Sequence, residues 1–169
     1  FAPFPYTDVA EVLQADTANP LYLILDSLHD SYNVGAVVRS AEVFGATAVI
    51  LGAWGQAEVN SQVARSSVGA VNRVPLVRAE ELAELIRTLQ RRGVKVYGAS
   101  EKGEQAAFSL DLSGAVGLVI GNEGRGLTRA VSAACDVFVK IPQQGEIGSL
   151  NAAVAAGILL YEARRQRLD

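Results

Sequence analysis

The sequence predicts one α/β domain, with a mostly parallel sheet and helices on both faces of that sheet. Half of the 169 residues are hydrophobic and only 20% are charged, which favours a compact domain with many buried elements. Several short runs are continuously apolar, as strands are when both faces of a sheet are covered. Segments with helical periodicity separate these runs. We find no fixed-period repeat or internal linker, so residues 1–169 are predicted to form a single domain.

The first elements are bounded by residues that start or break regular structure. Thr7 is predicted to cap a short helix that runs to about Ala15. Asn19-Pro20 then interrupts the chain, and LYLIL, Leu21 to Leu25, is predicted to be a buried strand. A helix is predicted from Asn33 to Phe44, because apolar residues recur there at helical spacing.

The middle of the chain continues the alternation of strands and helices. A second strand is predicted from Ala48 to Leu51 and a short helix near Ser61 to Ser66. NRVPLVR is predicted to be extended, because Pro75 restricts the residue before it. EELAELIRTLQRR is the clearest amphipathic helix, and Gly93 ends it.

Three more strands and a final helix complete the pattern. The strands are predicted in VKVYGA, VGLVI and DVFVKI, and the helix from about Leu150 to Gln166. Since the carboxyl ends of parallel strands meet at one edge of a sheet, the loops that follow them can converge on one crevice.

Composition excludes several classes of protein. The net charge of −3 is unlike that of an autonomous nucleic-acid-binding domain. No apolar stretch is long enough for a membrane span and FAPFPYTD lacks signal-peptide features, so a soluble, cytoplasmic protein without a membrane partner is expected. The single cysteine, Cys135, and the single histidine, His29, leave no disulfide framework and no metal-ligand cluster. Cys135 is expected to be a small buried hydrophobe.

The first loop whose side chains could take part in binding or catalysis is DSLHDSYNVGAVVRS, which follows the first strand. An arginine inside an apolar helix is costly unless it is paired, so Arg39 is expected to have a partner. Gly35-Ala36 keeps the helix start narrow enough for a ligand or a backbone to approach. A structural salt bridge is the alternative for Arg39.

The second loop is IGNEGRGLT, Ile120 to Thr128. It is not a P-loop, because no Gly-Lys-Ser/Thr end follows its glycines. The Glu123 carboxylate would repel a phosphate, so this loop is expected to receive positive charge or to orient Arg39. An exposed turn with incidental charges is the alternative.

The third loop lies in IPQQGEIGSLNAAVAAGILLYEARRQ. Ser149 is expected to cap the last helix, leaving Asn151 in the first turn with an amide to offer. The small residues that follow, such as Ala152 and Gly157, indicate that backbone comes close there. Ordinary helix packing and a simple cap are the alternatives.

Together, NVGAVVRSAEVFGA, LVIGNEGRGL and the third loop resemble the motifs of the SpoU, or TrmH-like, branch of the SPOUT RNA 2′-O-ribose methyltransferases. The motifs follow the family's order and separations, and the resemblance spans roughly Leu21 to Arg167. It implies that S-adenosylmethionine binds in a deep trefoil knot in the C-terminal third of the sheet, and that the protein is a homodimer. Periodicity does not indicate a knot, and the general rule of chain topology argues against one.

The same resemblance implies roles for particular residues. Those implied to be catalytic are Arg39, Asn33, Glu123, Ser149 and Asn151. Those implied to hold the cofactor, through backbone groups and apolar contacts, are Gly121, Ile141, Leu150, Ile120, Asn122 and Ala99. The chain departs from the family pattern with IPQQ where many members have IPM, and with NAAVAA where NVSVA is common. Because a guanidinium keeps its proton, Arg39 is expected to hold a phosphate and stabilise the developing alkoxide.

The segments ARSSVGAVNRVPLVR and FPYTDVAEVL look most like family members that methylate a guanosine of 23S ribosomal RNA. In those members an RNA-binding domain precedes the catalytic one, so residues 1–19 are expected to be a linker or extension from such a domain. Phosphate contacts are expected from Arg65, Arg73, Arg125 and Arg129.

Other functions remain open at this stage. A transfer-RNA guanosine 2′-O-methyltransferase and a methyltransferase acting on ribosomal adenosine are alternatives within the family. A catalytically silent knotted module that binds RNA or dimerises is an alternative outside catalysis. A nucleotide-binding α/β protein would need a phosphate loop, and the turn after the first strand lacks one.

Overall fold

The computed structural model describes residues 4–15 and 17–168, and it has the predicted α/β architecture. Its seven strands are β1 (Leu21–Leu25), β2 (Ala48–Gly52), β3 (Leu76–Ala79), β4 (Lys95–Ala99), β5 (Gln105–Ala106), β6 (Val116–Ile120) and β7 (Val137–Lys140). Their order across the sheet is β3-β2-β1-β6-β4-β7-β5. Every strand pair among the described residues is parallel, which confirms the predicted type of sheet.

Helices connect the strands and cover both faces of the sheet. The α-helices of the described residues are α1 (Val9–Gln14), α2 (Ser31–Val43), α3 (Ser61–Ser66), α4 (Leu82–Arg91), α5 (Arg129–Ala134) and α6 (Ala152–Gln166). Single 3₁₀ turns occupy Ala70–Asn72 and Ala107–Ser109. None of the described helices is both long enough and apolar enough to cross a membrane.

Each face of the sheet carries its own apolar core, because side chains alternate along a strand. In β1, Leu21, Leu23 and Leu25 enter the core shared with α2, α3 and α6. Tyr22 and Ile24 enter the opposite core, which is shared with α1, α4 and α5. All five residues are buried, so the apolar run LYLIL reflects a strand covered on both faces.

Capping side chains explain why helix starts differ from the predicted ones. Asp8 caps α1 by accepting a hydrogen bond from a first-turn N–H, so the prediction that Thr7 is the cap is wrong. The Thr7 N–H instead donates to the carbonyl of Leu76 at 2.8 Å, beside β3. Asp30 caps α2, which therefore begins at Ser31, before the predicted start.

The sequence does not indicate β5 or α5, and both are too short to carry a periodic signal. β5 has two residues, fewer than an alternating pattern needs. α5 has six residues and buries only Val131 and Ala134, so it shows no full apolar face.

The start of the described chain packs on the domain, although residues 1–19 were expected to be a linker or extension. The Val59 N–H donates to the hydroxyl oxygen of Tyr6 at 3.1 Å. Val12 is buried in the core beside α4. Residues 1–3 and 16 of the expected linker lie outside the described residues. Residues 4–14 are therefore an integral part of the fold.

Arg167, which follows α6, connects the end of the chain to loops at the amino edge of the sheet. Its guanidinium donates to the carbonyl oxygens of Leu112 at 3.1 Å, Gly114 at 2.6 Å and Asn19. We expect Arg167→Ala to lower the free energy of unfolding by about 2 kcal/mol, because these partly buried carbonyls lose charged donors. Urea denaturation of the two proteins measures the difference.

A matched control for this substitution is Arg165→Ala. Arg165 is exposed and pairs with Glu162 of the same helix, at 2.7 Å. Only the arginine of this pair is well exposed, but a pair between neighbouring turns of one helix contributes under about 1 kcal/mol, so this variant is expected to lose less stability than Arg167→Ala. Equal unfolding midpoints for the two variants would contradict the role assigned to Arg167.

Candidate active site

A cavity of about 510 Å³ opens at the carboxyl edge of the sheet. Its lining includes residues 99–102, from the end of β4, residues 120–127, from the end of β6, and residues 149–150 before α6. Phe138, Val139 and Ile141, in and just after β7, add apolar surface. The volume lies in the range of roughly 300–1,000 Å³ that is typical of small-molecule sites. The cavity also occupies the edge at which parallel sheets usually bind ligands.

The loop after β6 folds back on itself through backbone contacts. Asn122 and Gly126 form an antiparallel bridge, with N···O distances of 2.9 and 3.0 Å. The Asn122 side-chain oxygen also accepts hydrogen bonds from the N–H groups of Gly124 and Arg125. A Cβ on Gly121 would lie only 2.4 Å from the carbonyl carbon of Gly126. Glycine is required at position 121 because backbone meets backbone there.

This loop is attached to the segment that follows β1. The buried carboxylate of Asp26 accepts hydrogen bonds from the N–H and the hydroxyl of Thr128, at 2.7 and 3.0 Å. The Asn122 amide donates to the carbonyl of Ser27 at 2.8 Å. The two ends of the loop are therefore held by consecutive residues of one segment.

Glu123 is also attached to this segment. Its carboxylate accepts hydrogen bonds from the N–H of Asp30 at 3.2 Å and the N–H of His29 at 3.5 Å. In the described residues it contacts no arginine, so the expectation that Glu123 orients Arg39 is not met within this chain. The carboxylate instead fixes the start of α2 against the cavity rim.

Asn33 and Asn151 lie together at the starts of α2 and α6. The Asn151 amide donates to the Asn33 side-chain oxygen at 3.2 Å. Asn151 is also the cap of α6, because its oxygen accepts from the N–H groups of Ala153 and Val154. The prediction that Ser149 caps this helix is therefore wrong. Ser149 lies before the cap and lines the cavity.

Arg39 lies apart from the other residues expected to be catalytic. It is exposed on α2, about 9 Å along the helix axis from Asn33 at 1.5 Å per residue. It does not line the cavity, and its side chain makes no hydrogen bond within the described residues. The expectation that Arg39 has a partner is not met within the described residues, because the buried residues of α2 lie on its other faces and leave Arg39 exposed. Water can solvate the guanidinium, so its charge needs no partner within the chain.

The residues expected to hold a cofactor come together. All of them line the cavity: Gly121, Ile141, Leu150, Ile120, Asn122 and Ala99. Of the residues expected to be catalytic, Glu123 and Ser149 line it too. Among the arginines expected to contact RNA, Arg125 lines the cavity, whereas Arg65, Arg73 and Arg129 are exposed elsewhere.

Of two titratable residues near the site, the sequence analysis named Cys135 but not Asp26. Cys135 is half-buried, and burial, together with the charges of Asp136 and Asp26, raises its pKa to about 12. It therefore stays protonated at neutral pH, in keeping with an apolar packing role. Asp26 was not singled out, although a carboxylate directly after a buried strand is the signal that could have identified it. Among the described residues, no group of His, Cys, Asp and Glu is arranged to hold a metal ion.

Replacing Asp26 is expected to loosen the loop after β6. In Asp26→Ala the N–H and hydroxyl of Thr128 lose their acceptor, so we expect the free energy of unfolding to fall by about 2 kcal/mol. Asp26→Asn keeps one side-chain oxygen and should lose less. Denaturant unfolding of both variants checks this, and an alanine variant as stable as the asparagine variant would contradict it.

Fold and site together define an α/β protein with a cavity of small-molecule size between the carboxyl ends of parallel strands and a backbone-packed loop. The chain belongs to the SpoU rRNA Methylase family, whose family model matches residues 20–161. This confirms the resemblance found in the sequence motifs.

Curated relatives carry one shared description. The chain is 46% identical over 157 residues to the 23S rRNA (guanosine-2'-O-)-methyltransferase RlmB of Xanthomonas campestris, covering 93% of this chain and 63% of that protein. It is 41% identical over 160 residues to the protein of the same name from Xylella fastidiosa, covering 95% of this chain and 64% of the relative. The chain thus spans less than two thirds of the length of these relatives.

Solved structures of similar fold include the SpoU methyltransferase AviRb from Streptomyces viridochromogenes in complex with the cofactor AdoMet. It superposes with a TM-score of 0.88 at 33% identity, covering 96% of this chain and 66% of that one. The TrmH/SpoU tRNA modifying enzyme of A. aeolicus superposes with a TM-score of 0.79 at 26% identity, covering 93% and 79% of the two chains.

Proposed function

We propose that this chain transfers a methyl group from S-adenosylmethionine to a ribose 2′-hydroxyl in RNA, and that the target is a guanosine of 23S ribosomal RNA. The observation that carries the proposal is the cavity itself: the cofactor residues expected from the motifs converge there with Glu123 and Ser149. The family membership and the names of the curated relatives agree with this function.

The cavity fits S-adenosylmethionine by its chemistry. Backbone groups around Gly121, with apolar contacts from Ile141 and Leu150, would hold the adenosine part. Side chains of both charges, including Lys102 and Glu123, line the same space and suit a ligand that carries an ammonium and a carboxylate. S-adenosylmethionine supplies an electrophilic methyl group when it is bound.

The chain's own residues then have to position the ribose and manage its proton. A 2′-hydroxyl is a poor nucleophile near neutral pH. The rate therefore depends on aligning this oxygen with the methyl group and on stabilising the developing alkoxide. We assign the adjacent phosphate and the alkoxide to Arg39, whose guanidinium is exposed. The hydroxyl proton passes to that phosphate or to a water molecule. Asn33 and Asn151 hold the starts of α2 and α6 together, which fixes the helix that carries Arg39 relative to the cavity.

The experiment that tests this function is a methylation map. Unmethylated 23S ribosomal RNA and transfer RNA are incubated with the protein and S-adenosylmethionine, and 2′-O-methyl groups are located by sequencing. One new mark on a 23S guanosine is the expected result. A mark on transfer RNA would contradict the proposed substrate, and cofactor binding without any mark would point to the silent module.

We place the protein in the cytoplasm with its ribosomal substrate, which co-sedimentation with ribosomal precursors would check.

We also propose that residues of the C-terminal third thread a trefoil knot. The position of β6 between β1 and β4 supports this, since β6 follows both in the chain. A Cβ on Gly103 would lie 2.9 Å from the carbonyl carbon of Val139, so these segments also touch backbone to backbone. An experimental structure whose backbone follows an unknotted path would contradict this proposal.

We propose that the protein is a homodimer that uses α6. Val154, Ile158 and Tyr161 recur at helical spacing and are 50%, 39% and 55% exposed, so one face of this helix is apolar and uncovered. Light scattering should give twice the chain mass of 17.8 kDa. Ile158→Asp should shift the particle toward the monomer mass, whereas a monomeric unmodified protein would contradict the dimer.

A further inference from the structure

Trp54 is the most exposed aromatic side chain among the described residues. It lies in the loop after β2 and its exposed fraction is 76%. Tryptophan is usually well buried, because its large ring loses much apolar surface to water when it is exposed. The neighbours of Trp54 in the chain are not large hydrophobics, since Ala53 precedes it and Gly55 and Gln56 follow. The chain around Trp54 therefore supplies no run of large hydrophobic residues of the kind that a protein interface uses.

The loop that carries Trp54 is held firmly to the segment after β1. The Ser27 hydroxyl donates to the Trp54 carbonyl at 3.2 Å. The Leu28 N–H donates to the side-chain oxygen of Gln56 at 2.9 Å, and the Ala57 N–H donates to the Leu28 carbonyl at 2.7 Å. The backbone beneath the indole ring is therefore fixed, which lowers the entropy lost when a partner binds the ring.

The same contacts place Trp54 beside the cavity. Ser27 touches Trp54 through its hydroxyl and accepts a hydrogen bond from Asn122, a cavity residue, through its carbonyl. Ser27 has a positive φ of 66°, an uncommon conformation for this residue type. A Cβ on Gly55 would lie 3.4 Å from the His29 ring, and the His29 N–H lies against Glu123. One residue, Ser27, thus links the backbone of Trp54 to Asn122 at the rim of the cavity.

We propose that Trp54 is an RNA-binding residue that stacks on a nucleobase next to the nucleotide whose ribose is methylated. The inference rests on the proposed function, because that function brings an RNA strand to the cavity rim. Every base presents a flat face to an aromatic ring, so stacking needs no matching charge, and this chain has a net charge of −3. The exposed imidazole of His29 lies beside the loop and adds a second ring to the surface.

The chain contains a single tryptophan, so its fluorescence reports on position 54 alone. Unmethylated 23S ribosomal RNA is titrated into the full chain, with and without S-adenosylmethionine, and tryptophan emission is followed. Saturable quenching is the expected result. Trp54→Ala should weaken RNA binding about tenfold in a filter-binding assay, Trp54→Phe should recover most of it, and neither should change the affinity for S-adenosylmethionine.

Phe108→Ala is the matched control. Phe108 is 69% exposed, but it follows β5, at the edge of the sheet opposite β3 and β2, so its removal should leave RNA affinity unchanged. Unchanged RNA affinity in Trp54→Ala, or methylation without quenching, would overturn the inference and leave the proposed function standing. Emission that is blue-shifted and protected from acrylamide before RNA is added would overturn it too, because a second copy would then cover the ring. An unmodified protein that neither methylates nor binds the cofactor would fail the proposed function itself.

Discussion

Replacing Arg39 with lysine is expected to lower kcat for RNA methylation by about 10²- to 10³-fold, if the guanidinium holds the phosphate and the developing alkoxide as proposed. Lysine keeps the positive charge but loses the planar pair of donors that binds two oxygens at once. The fold should not change, because Arg39 is exposed and its side chain makes no hydrogen bond within the described residues. The affinity for S-adenosylmethionine should not change either, since Arg39 does not line the cavity.

Steady-state kinetics, calorimetric cofactor binding and thermal unfolding of Arg39→Lys separate these effects. Arg87→Lys is a suitable control, because Arg87 belongs to α4 on the opposite face of the sheet and pairs with Glu84 at 2.8 Å. The control should keep its turnover. Near-full turnover of Arg39→Lys would exclude a role that depends on the two-donor geometry of the guanidinium.

Replacing Gly121 with alanine is expected to weaken S-adenosylmethionine binding by at least about 100-fold and to lower the free energy of unfolding by about 3 kcal/mol. The added Cβ would lie 2.4 Å from the carbonyl carbon of Gly126 and 2.6 Å from its oxygen. Both neighbours are backbone atoms of a bridged loop, so no side chain can rotate away to make room. The loop would have to move, and it lines the cavity.

Gly124 in the same loop is the control for this substitution. A Cβ there would have Asn122 Oδ1 as its nearest neighbour at 3.7 Å, an ordinary contact. Gly124→Ala should therefore unfold like the unmodified protein and, although residue 124 lines the cavity, bind the cofactor far more tightly than Gly121→Ala. Calorimetry and thermal unfolding of both variants measure the contrast. A Gly121→Ala protein that matches Gly124→Ala in both measurements would rule out the close approach of the two loop segments.

The elements that the sequence located well are those whose own residues bury a periodic apolar surface. Predicted and observed bounds coincide for β1 and α3, and α4 lies within its predicted segment, because burial on fixed faces dictates the spacing of hydrophobic residues. β5 was not predicted because its two residues are too few to show a period. α5 was not predicted because only two of its six residues are buried. The cap of α6 is Asn151 and not the predicted Ser149. The prediction failed because serine and asparagine are both favoured caps, and the local sequence does not distinguish between them.

The site shows the same division. The resemblance of the motifs to the family indicated six residues that prove to line one cavity, from Ala99 to Leu150. The motifs did not show that Glu123 would bind the N–H groups of His29 and Asp30, about 90 positions earlier in the chain, because no sequence period connects such distant residues. Nor did they include Asp26, whose burial becomes evident only where the loop after β6 returns to it.

The sequence by itself determined the α/β class, the covered parallel sheet and the family, because these follow from apolar spacing and from motifs of adjacent residues. Tertiary structure alone decided that β6 lies between β1 and β4, and that this insertion carries its glycine loop onto Asp26 and Ser27. It also decided that Arg39 is solvated and Trp54 exposed. The physical reason is that exposure and hydrogen-bond partners depend on which distant segments pack together, and only the completed sheet brings those segments into contact.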